Sequence, residues 1–341
     1  MTDPVLQHYA SHLTKLTEIE LLGPFLIRVQ GWLDFISAVG PRLETFMVLQ
    51  SPRFDIDCMS ALASQSGTSL RRLRLAEVGK LCDDWLPHIG AFTQLTYLDL
   101  SNPSQSLTDE PVIQLLSLVG AGLEYLDLGG NTVLTDTVLT GIKDHAPALK
   151  ELHLQKLEQL TDEAVSAFFT EYSNPSLRII DLGRNHDLAS LSLQAILENF
   201  GSVLDRLDIN SWKEIKNETL ISIGTLAKSL TAVNVGWCRE VDDFVIKGIL
   251  DGCTKISEIK CYGCNRISAT CPTKVSRPTA RDASHFIYVM FHILGWCQYF
   301  WSGGPFSKVN IYMVLDLFNT ICLLSCGFEC AGGRSTAYGA L

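Results

Sequence analysis

Charge is scarce in this sequence, and basic charge is scarcer than acidic charge. Only 19% of the 341 residues are charged, and 27 Lys and Arg residues stand against 37 Asp and Glu residues, for a formal charge of −10 at pH 7. Because attraction to nucleic acid relies on cations that face phosphates, the molecule as a whole is not expected to bind nucleic acid non-specifically. The 47% of hydrophobic residues supply ample material for a core, which excludes a disordered chain.

Catalytic motifs are missing as well. The sequence has no Gly-x-x-x-x-Gly-Lys phosphate loop, no Gly-x-Ser-x-Gly elbow, no His-Glu-x-x-His pair and no dinucleotide-binding fingerprint. We therefore expect a protein that is not an enzyme and uses no cofactor. The first residues lack the basic and apolar regions of a secretory signal, so the cysteines are expected to be reduced, in the nucleus or the cytoplasm.

What the sequence does contain is a repeating pattern. Apolar residues stand at positions 1, 4 and 6 of a short segment and Cys or Asn often stands at position 9, as in residues 230–238 and 256–264. Position 1 recurs every 25 to 28 residues, at Leu16, Leu43, Leu70, Leu95, Leu123, Leu149, Leu177, Leu204, Leu230 and Ile256. One unit cannot bury its own apolar face. The pattern therefore predicts an α/β leucine-rich-repeat solenoid of about ten strand-helix repeats, with a parallel sheet on the concave face and helices on the convex face.

The second half of several repeats predicts a helix. Leu107, Leu134 and Leu160 are each followed by Thr-Asp and then by an apolar run at helical spacing. We expect the Thr and Asp oxygens to accept hydrogen bonds from the free N–H groups of the first helical turn.

The two ends of the chain are less regular than the repeats. Residues 1–13 hold little that could cover the first repeat, so an N-terminal cap is expected to be missing. The period ends after Lys274, which divides the chain into a repeat domain, 1–274, and an aperiodic apolar tail, 275–341. The apolar clusters of the tail are short and contain polar residues, which makes a membrane anchor the weaker interpretation. The alternatives are an irregular appendage on the last repeat and a translated intron, because Val275 and Ser276 can be encoded by a splice-donor sequence.

Cysteines cluster in the last repeats and raise the question of a metal site. Cys261 and Cys264 lie near Cys253 and Cys271 in the sequence. Cys261 takes position 6 and Cys264 takes position 9, so both side chains are expected to point into the core and not toward a shared zinc ion. The pattern favours structural cysteines and no metal.

The concave face is where we expect a protein partner to bind. Position 5 lies between two inward residues and therefore points out of the core. In the middle repeats this position holds four aspartates, Asp99, Asp127, Asp181 and Asp208. Such a row attracts a basic partner, although the same residues also suit an ordinary solvated strand surface.

Other outward positions supply two further kinds of candidate contact residue. The aromatic candidates are Tyr97, Tyr125, Trp237 and Tyr262, and the basic candidates are Arg72 and Arg74. Aromatic residues anchor many protein interfaces, and Trp237 is the first that we would test. The two arginines suit an acidic peptide or a phosphate, with solvated strand charges as the alternative.

Several stretches carry a family resemblance. Residues 235–243, Val-Gly-Trp-Cys-Arg-Glu-Val-Asp-Asp, and residues 252–267 resemble the cysteine-containing repeats of F-box leucine-rich-repeat proteins. Residues 95–101, Leu-Thr-Tyr-Leu-Asp-Leu-Ser, and residues 122–131, Gly-Leu-Glu-Tyr-Leu-Asp-Leu-Gly-Gly-Asn, are more narrowly similar to fungal Rad-seven-type DNA repair proteins. The resemblance covers roughly residues 10–270.

The resemblance implies a non-enzymatic interaction scaffold in global-genome nucleotide excision repair, in the nucleus. It implies as partners a Swi/Snf-type ATPase and, through an elongin-C-like adaptor, a cullin ubiquitin ligase for which the protein recognises substrates; damaged DNA is contacted only within a complex. The family's N-terminal adaptor-binding region is not found here, and the tail resembles a family ending only at 309–312. The alternatives are an F-box-type substrate receptor of an SCF ubiquitin ligase without a repair role and, from another class, a membrane-tethered repeat protein.

Overall fold

One parallel sheet runs through the molecule from repeat to repeat. The computed structural model describes residues 1–268, 270–271 and 308–312. Ten strands come from the repeats and pair in sequence order, and an eleventh strand from the tail pairs in parallel with the first. The strands are β1 (Glu18–Leu22), β2 (Thr45–Leu49), β3 (Arg72–Arg74), β4 (Tyr97–Asp99), β5 (Tyr125–Asp127), β6 (Glu151–His153), β7 (Ile179–Asp181), β8 (Arg206–Asp208), β9 (Ala232–Asn234), β10 (Glu258–Lys260) and β11 (Lys308–Tyr312). The predicted solenoid of strand-helix repeats is confirmed.

Helices connect the successive strands and pack on one another. They are α1 (Asp3–His12), α2 (Val29–Val39), α3 (Ile56–Ser66), α4 (Leu86–Ile89), α5 (Asp109–Val119), α6 (Thr137–His145), α7 (Asp162–Glu171), α8 (Ser190–Phe200), α9 (Asn217–Leu226) and α10 (Asp243–Gly252). One continuous core of buried side chains joins the sheet to the helices. The opposite side of the sheet carries the outward strand residues and is the concave face.

The inward strand residues form a single buried spine. Leu98 pairs with Leu126 and Leu126 pairs with Leu152 in the parallel register. These residues and Leu207 are at most 2% exposed. Because burial of a leucine side chain contributes roughly 1.5–3 kcal/mol, this shared spine is a large part of what makes the repeats stable together.

In five repeats, the side chain at position 9 bonds to the backbone of the repeat before it. Asn131 is fully buried and its amide donates to the carbonyl of Leu100 at 3.2 Å while its oxygen accepts from the Leu107 N–H at 2.9 Å. In later repeats the Trp212 indole donates to Leu182 O at 2.8 Å and the Cys238 thiol donates to Ile209 O at 3.3 Å. Different side chains thus satisfy buried carbonyls at the same place in successive repeats.

The Thr-Asp motifs bond between repeats, which differs from the sequence prediction. Asp109 accepts from the N–H and the hydroxyl of Thr135 in the next repeat, at 3.0 and 2.7 Å. Asp136 and Thr161 are joined in the same way at 2.9 and 2.8 Å. Of the expected caps, the Thr161 hydroxyl does accept from the N–H of Ala164 in its own helix, and the Thr135 hydroxyl accepts from the N–H of Thr137 at the start of α6. The prediction is wrong for the aspartates because stacking places N–H and hydroxyl groups of the next repeat within hydrogen-bond distance of their carboxylates.

Every repeat makes the same left-handed turn after its strand. Position 8 has a positive φ in all ten repeats, at Gly23, Gln50, Glu77, Asn102, Gly130, Lys156, Arg184, Ser211, Trp237 and Gly263. A residue other than glycine loses about 1 kcal/mol or more in this conformation. Three repeats avoid that loss with glycine and seven do not.

The last two helices approach each other more closely than side chains allow. A Cβ atom on Gly252 would lie 1.7 Å from the carbonyl oxygen of Gly224, and one on Gly224 would lie 2.0 Å from the oxygen of Gly248. The backbones of α9 and α10 are therefore in direct contact, and only glycine permits this packing at those positions.

A helix covers part of the first repeat, contrary to the expectation for residues 1–13. Helix α1 packs against α2 and buries Leu6 and Ala10, while the Asp3 carboxylate accepts from the N–H and Nε of Arg28 at 2.8 and 2.6 Å. This helix has few apolar residues, which is why the sequence pattern did not reveal it.

The tail lies largely outside the described residues. Its pairing with β1 at 308–312 is the part that the structure describes, and the three interpretations of 275–341 and the domain boundary at residue 274 stay predictions. None of the helices in the described part of the chain has the length and apolar character needed to cross a membrane.

Candidate partner-binding surface

Two columns of side chains cross the concave face, from positions 3 and 5 of the repeats. Position 3 places Arg72 beside Tyr97 and Tyr97 beside Tyr125 on neighbouring strands. Position 5 likewise places Arg74 beside Asp99 and Asp99 beside Asp127. The structure therefore brings six of the ten candidate residues together on β3, β4 and β5.

The aspartates at position 5 are less available than the sequence suggested. Asp99 is fully buried and Asp127 is 7% exposed, whereas Asp181 and Asp208 are half-buried. The prediction of an open acidic row is therefore wrong at Asp99 and Asp127. The role of Asp181 and Asp208 in partner binding stays a prediction.

The turn that follows each strand holds all four aspartates in the same way. The Oδ1 atoms of all four aspartates accept from the backbone N–H two residues later, at 2.8 to 3.0 Å. Arg74 lies beside Asp99 on the neighbouring strand β3, with its Nε 2.7 Å from Oδ2 of Asp99. The carboxylates therefore hold the turns in place, and part of their charge is compensated within the molecule.

Tyrosine rings form a stack in the position 3 column. The rings of Tyr97 and Tyr125 are parallel within 12° with centroids 3.9 Å apart, and the guanidinium of Arg72 lies 4.9 Å from the Tyr97 centroid. The imidazole of His153 lies 5.0 Å from Tyr125 on the other side. Because the rings are covered on both faces, only their edges are open to a partner.

His153 is a residue of this cluster that the sequence reasoning did not select. Burial lowers its pKa, but the carboxylates of Asp181 and Glu151, each 3.6 Å from an imidazole nitrogen, and the nearby Asp127 raise it to about 10. His153 is therefore protonated at neutral pH. Its place at position 5 between Asp127 and Asp181 was a signal that the sequence did contain.

Burial also raises the pKa of Asp127, with repulsion from Asp99 acting in the same direction, to about 7. The protonated His153 opposes this shift. The centre of the concave face is thus a network of charges and rings that compensate one another, with little unpaired charge left to offer a partner.

Trp237 and Tyr262 lie apart from the tyrosine stack, on the rim formed by the turns. They are 59% and 51% exposed and follow β9 and β10, which lie four and five strand spacings from the strand of Tyr125, or ~19 and ~24 Å. The Trp237 indole lies over Gly263, where a Cβ would be 2.4 Å away, and the Tyr262 ring lies over Gly236 at 2.8 Å. The two glycines make room for the two exposed rings.

The late cysteines have structural contacts in place of a common ligand. The Cys253 thiol donates to Ala227 O at 3.3 Å and the Cys264 thiol donates to Val235 O at 3.2 Å. Burial raises the pKa of each thiol to about 11. In residues 1–268 and 270–271 there is no group of three metal-ligating side chains.

The sequence of the chain is similar to those of two known DNA repair proteins. The chain is 31% identical over 249 residues to the DNA repair protein rhp7 of Schizosaccharomyces pombe and 28% identical over 276 residues to the DNA repair protein RAD7 of Saccharomyces cerevisiae. It is homologous to rhp7 and RAD7. The predicted resemblance to Rad-seven-type proteins is therefore confirmed.

A solved structure of yeast Rad7 in complex with Elc1 has the same fold. The TM-score is 0.72 at 26% identity, over 79% of this chain and 69% of the Rad7 chain. The regions matched to rhp7 and RAD7 amount to 72% and 77% of this chain but to only 44% and 48% of those proteins. The chain thus spans about half the length of the curated relatives it matches. No family model matches the chain.

Proposed function

We propose that the chain is the repeat part of a nuclear interaction scaffold for global-genome nucleotide excision repair, linked to a cullin ubiquitin ligase for which it recognises substrates. The homology to two DNA repair proteins across the repeat region carries this proposal. The Rad7 structure with Elc1 supports an elongin-C-type adaptor as the link to the ligase. A Swi/Snf-type ATPase is the further partner that the family resemblance implies.

The geometry suits a scaffold better than a catalyst. The ten repeat strands, spaced by ~4.8 Å, form a surface about 43 Å long. Repeat proteins commonly bind protein partners along an extended concave surface of this kind. The proposed contacts are the accessible candidates, namely Asp181, Asp208, Arg72, Trp237, Tyr262 and the edges of Tyr97 and Tyr125. Damaged DNA is contacted as part of a complex, because a formal charge of −10 opposes independent binding to a polyanion.

Disruption of the gene in its own organism tests the repair role. We expect lower survival after ultraviolet irradiation and slower removal of photoproducts from non-transcribed DNA, with normal removal from transcribed strands. Return of the intact gene should restore both. Unchanged removal from non-transcribed DNA in the disrupted cells would contradict the proposal.

Surface variants in the same cells test the proposed contacts. Asp181→Asn combined with Asp208→Asn, and separately Trp237→Ala, should reduce the rescue, because each removes a contact and leaves the buried spine intact. Glu163→Gln, which changes an exposed carboxylate in the first turn of α7, is the matched control. Full rescue by both surface variants would show that partners bind elsewhere.

A further inference from the structure

The residue at the left-handed position 8 differs in chemical type from repeat to repeat along the rim. In repeats six to nine, position 8 holds Lys156, Arg184, Ser211 and Trp237, all with φ between 57° and 68°. Glycine occupies this position in repeats five and ten at no steric cost. Repeats two to four also keep a side chain in this conformation, and two cations and an indole set repeats six to nine apart from them. Backbone outliers of this kind tend to occur at binding sites.

Backbone hydrogen bonds fix the spacing of these side chains. The N–H of Lys156 donates to Gly183 O at 2.9 Å, that of Arg184 to Asn210 O at 2.7 Å, and that of Ser211 to Gly236 O at 2.8 Å. Each residue therefore lies one repeat from the next, at roughly 4.8 Å, and the row from Lys156 to Trp237 is ~14 Å long. This length equals about four residues of extended peptide.

The cations of this row are exposed and unpaired. Within residues 1–268, no carboxylate lies within ion-pair distance of Lys156, Arg184 or the adjacent Lys213. The rim cations of the next repeats, Arg239 and Arg266, do have partners, Glu214 at 4.0 Å and Glu240. Among these rim cations, the ones without a carboxylate partner are therefore those of repeats six to eight.

An aromatic platform closes the C-terminal end of the row. Trp237 and Tyr262 are both more than half exposed, and the Tyr262 hydroxyl accepts from Asn234 Nδ2 at 3.3 Å. Their packing over Gly263 and Gly236 limits the rotamers of both rings before any partner arrives. A fixed pair of exposed rings loses little conformational entropy on binding.

We propose that this rim row, formed by Lys156, Arg184, Lys213, Trp237 and Tyr262, binds a short acidic peptide in extended conformation. Acidic side chains of the peptide meet the three cations, and an aromatic or large apolar side chain about four residues away rests on the indole. A longer polyanion is disfavoured by the formal charge of −10 and by the carboxylates of Asp181 and Asp208 on the adjacent strands. The inference needs only the rim geometry and holds with or without the repair role.

Selection from a displayed library of random twelve-residue peptides, with the full chain as bait, tests the proposal. The selected peptides should be rich in Asp and Glu with an aromatic residue about four positions away. Their affinity, measured by fluorescence anisotropy of synthetic copies, should fall at least tenfold in Trp237→Gly. It should fall three- to tenfold in Lys156→Gly combined with Arg184→Gly, with a smaller difference at high salt.

The glycine variants separate loss of binding from loss of folding. Because glycine adopts a positive φ freely, we expect the thermal midpoint of each variant to stay within about 2 °C of the parent or to rise. Lys247→Ala, which removes an exposed cation from α10, is the matched control and should leave the affinity unchanged.

Three results would overturn the proposal. The first is a set of selected peptides without acidic bias, and the second is an affinity that is equal in the parent and the glycine variants. The third is Trp237-dependent binding of a labelled twelve-nucleotide oligothymidine without binding of the acidic peptides, which would assign the row to single-stranded nucleic acid.

Discussion

Replacement of Asn131 should uncouple two neighbouring repeats in the middle of the sheet. Its side chain bonds Leu107 N and Leu100 O of the preceding repeat at 2.9 and 3.2 Å, and Leu128 O of its own repeat at 2.8 Å. In Asn131→Ala, Leu128 O keeps the backbone N–H of residue 131 as a donor at 3.4 Å. Leu107 N–H and Leu100 O lose the only partners that they have among the described residues.

The expected destabilisation follows from those two backbone groups. Each buried group left without a partner costs roughly 1–3 kcal/mol, which gives about 2–6 kcal/mol for the pair. We expect about 3 kcal/mol, because the truncated side chain leaves space in which a water molecule can reach one of the two groups. Asn131→Cys should lose less than Asn131→Ala, since Cys238 and Cys264 show that a thiol at position 9 can donate to the neighbouring carbonyl.

Two measurements together check this prediction. Urea unfolding followed by circular dichroism gives the change in the free energy of unfolding, and a broadened transition is expected because repeat arrays lose cooperativity when one interface weakens. Hydrogen exchange gives a local readout, since the Leu107 amide should lose its protection in Asn131→Ala. Asn265→Ala, at an exposed residue of the last repeat, should change neither quantity. Retained protection at Leu107 with unchanged stability would refute the reasoning.

Four further substitutions probe other contacts. Gly252→Ala should lower the free energy of unfolding by about 2 kcal/mol or more, because its Cβ would meet the backbone of α9, whereas Gly248→Ala, whose Cβ has no atom nearer than 3.7 Å, should raise it by about 0.5–1 kcal/mol, both by urea titration. Asp127→Asn should raise the thermal midpoint at pH 8 but not at pH 4. The pKa of Asp127 is about 7 in the folded protein and near 3.8 in the unfolded chain, so its carboxyl group does not destabilise the parent below pH 3.8, and the parent loses stability as the pH rises through 7. An equal effect of the substitution at both pH values would contradict this. Asp162→Ala should cost about 2–4 kcal/mol by calorimetry, because the carboxylate accepts from three N–H groups of the next repeat at 2.9, 3.2 and 3.0 Å. A loss below 0.5 kcal/mol, the size of an ordinary surface change, would show that those bonds do not matter.

The architecture could be predicted because its causes are local and repeated. Spacing of apolar residues at positions 1, 4 and 6 determines which side chains face the core, and ten copies in one register leave little choice but stacking. The Asn and Cys residues at position 9 followed from the same register. Glycine at position 8 of three repeats, Gly23, Gly130 and Gly263, was a further signal that the turn is left-handed, although the other seven residues concealed it.

The accessibility of the candidate residues could not be predicted from the strand pattern. Asp99 and Asp208 occupy the same position, yet Asp99 is fully buried because Arg74 lies beside it on the neighbouring strand. That neighbour is 25 residues away in sequence, and its side chain reaches Asp99 only in the folded sheet. The Thr-Asp motifs show the same limit, since Asp109 bonds to Thr135 across 26 residues.

These observations shift the expected place of recognition from the strands to the turns. On the strands, side chains at positions 3 and 5 lie ~4.8 Å from their counterparts on the next strand. Opposite charges and rings therefore contact one another within the molecule, as Arg74 and Asp99 do at 2.7 Å. On the rim, the left-handed turn directs position 8 away from the sheet, and Lys156 and Arg184 are left without carboxylate partners among the described residues. A partner that competes for the strand residues must displace internal contacts, whereas a partner on the rim displaces only water. Variants at Trp237 and Arg184 should therefore weaken partner binding more than variants at Asp99, whose replacement should lower stability instead.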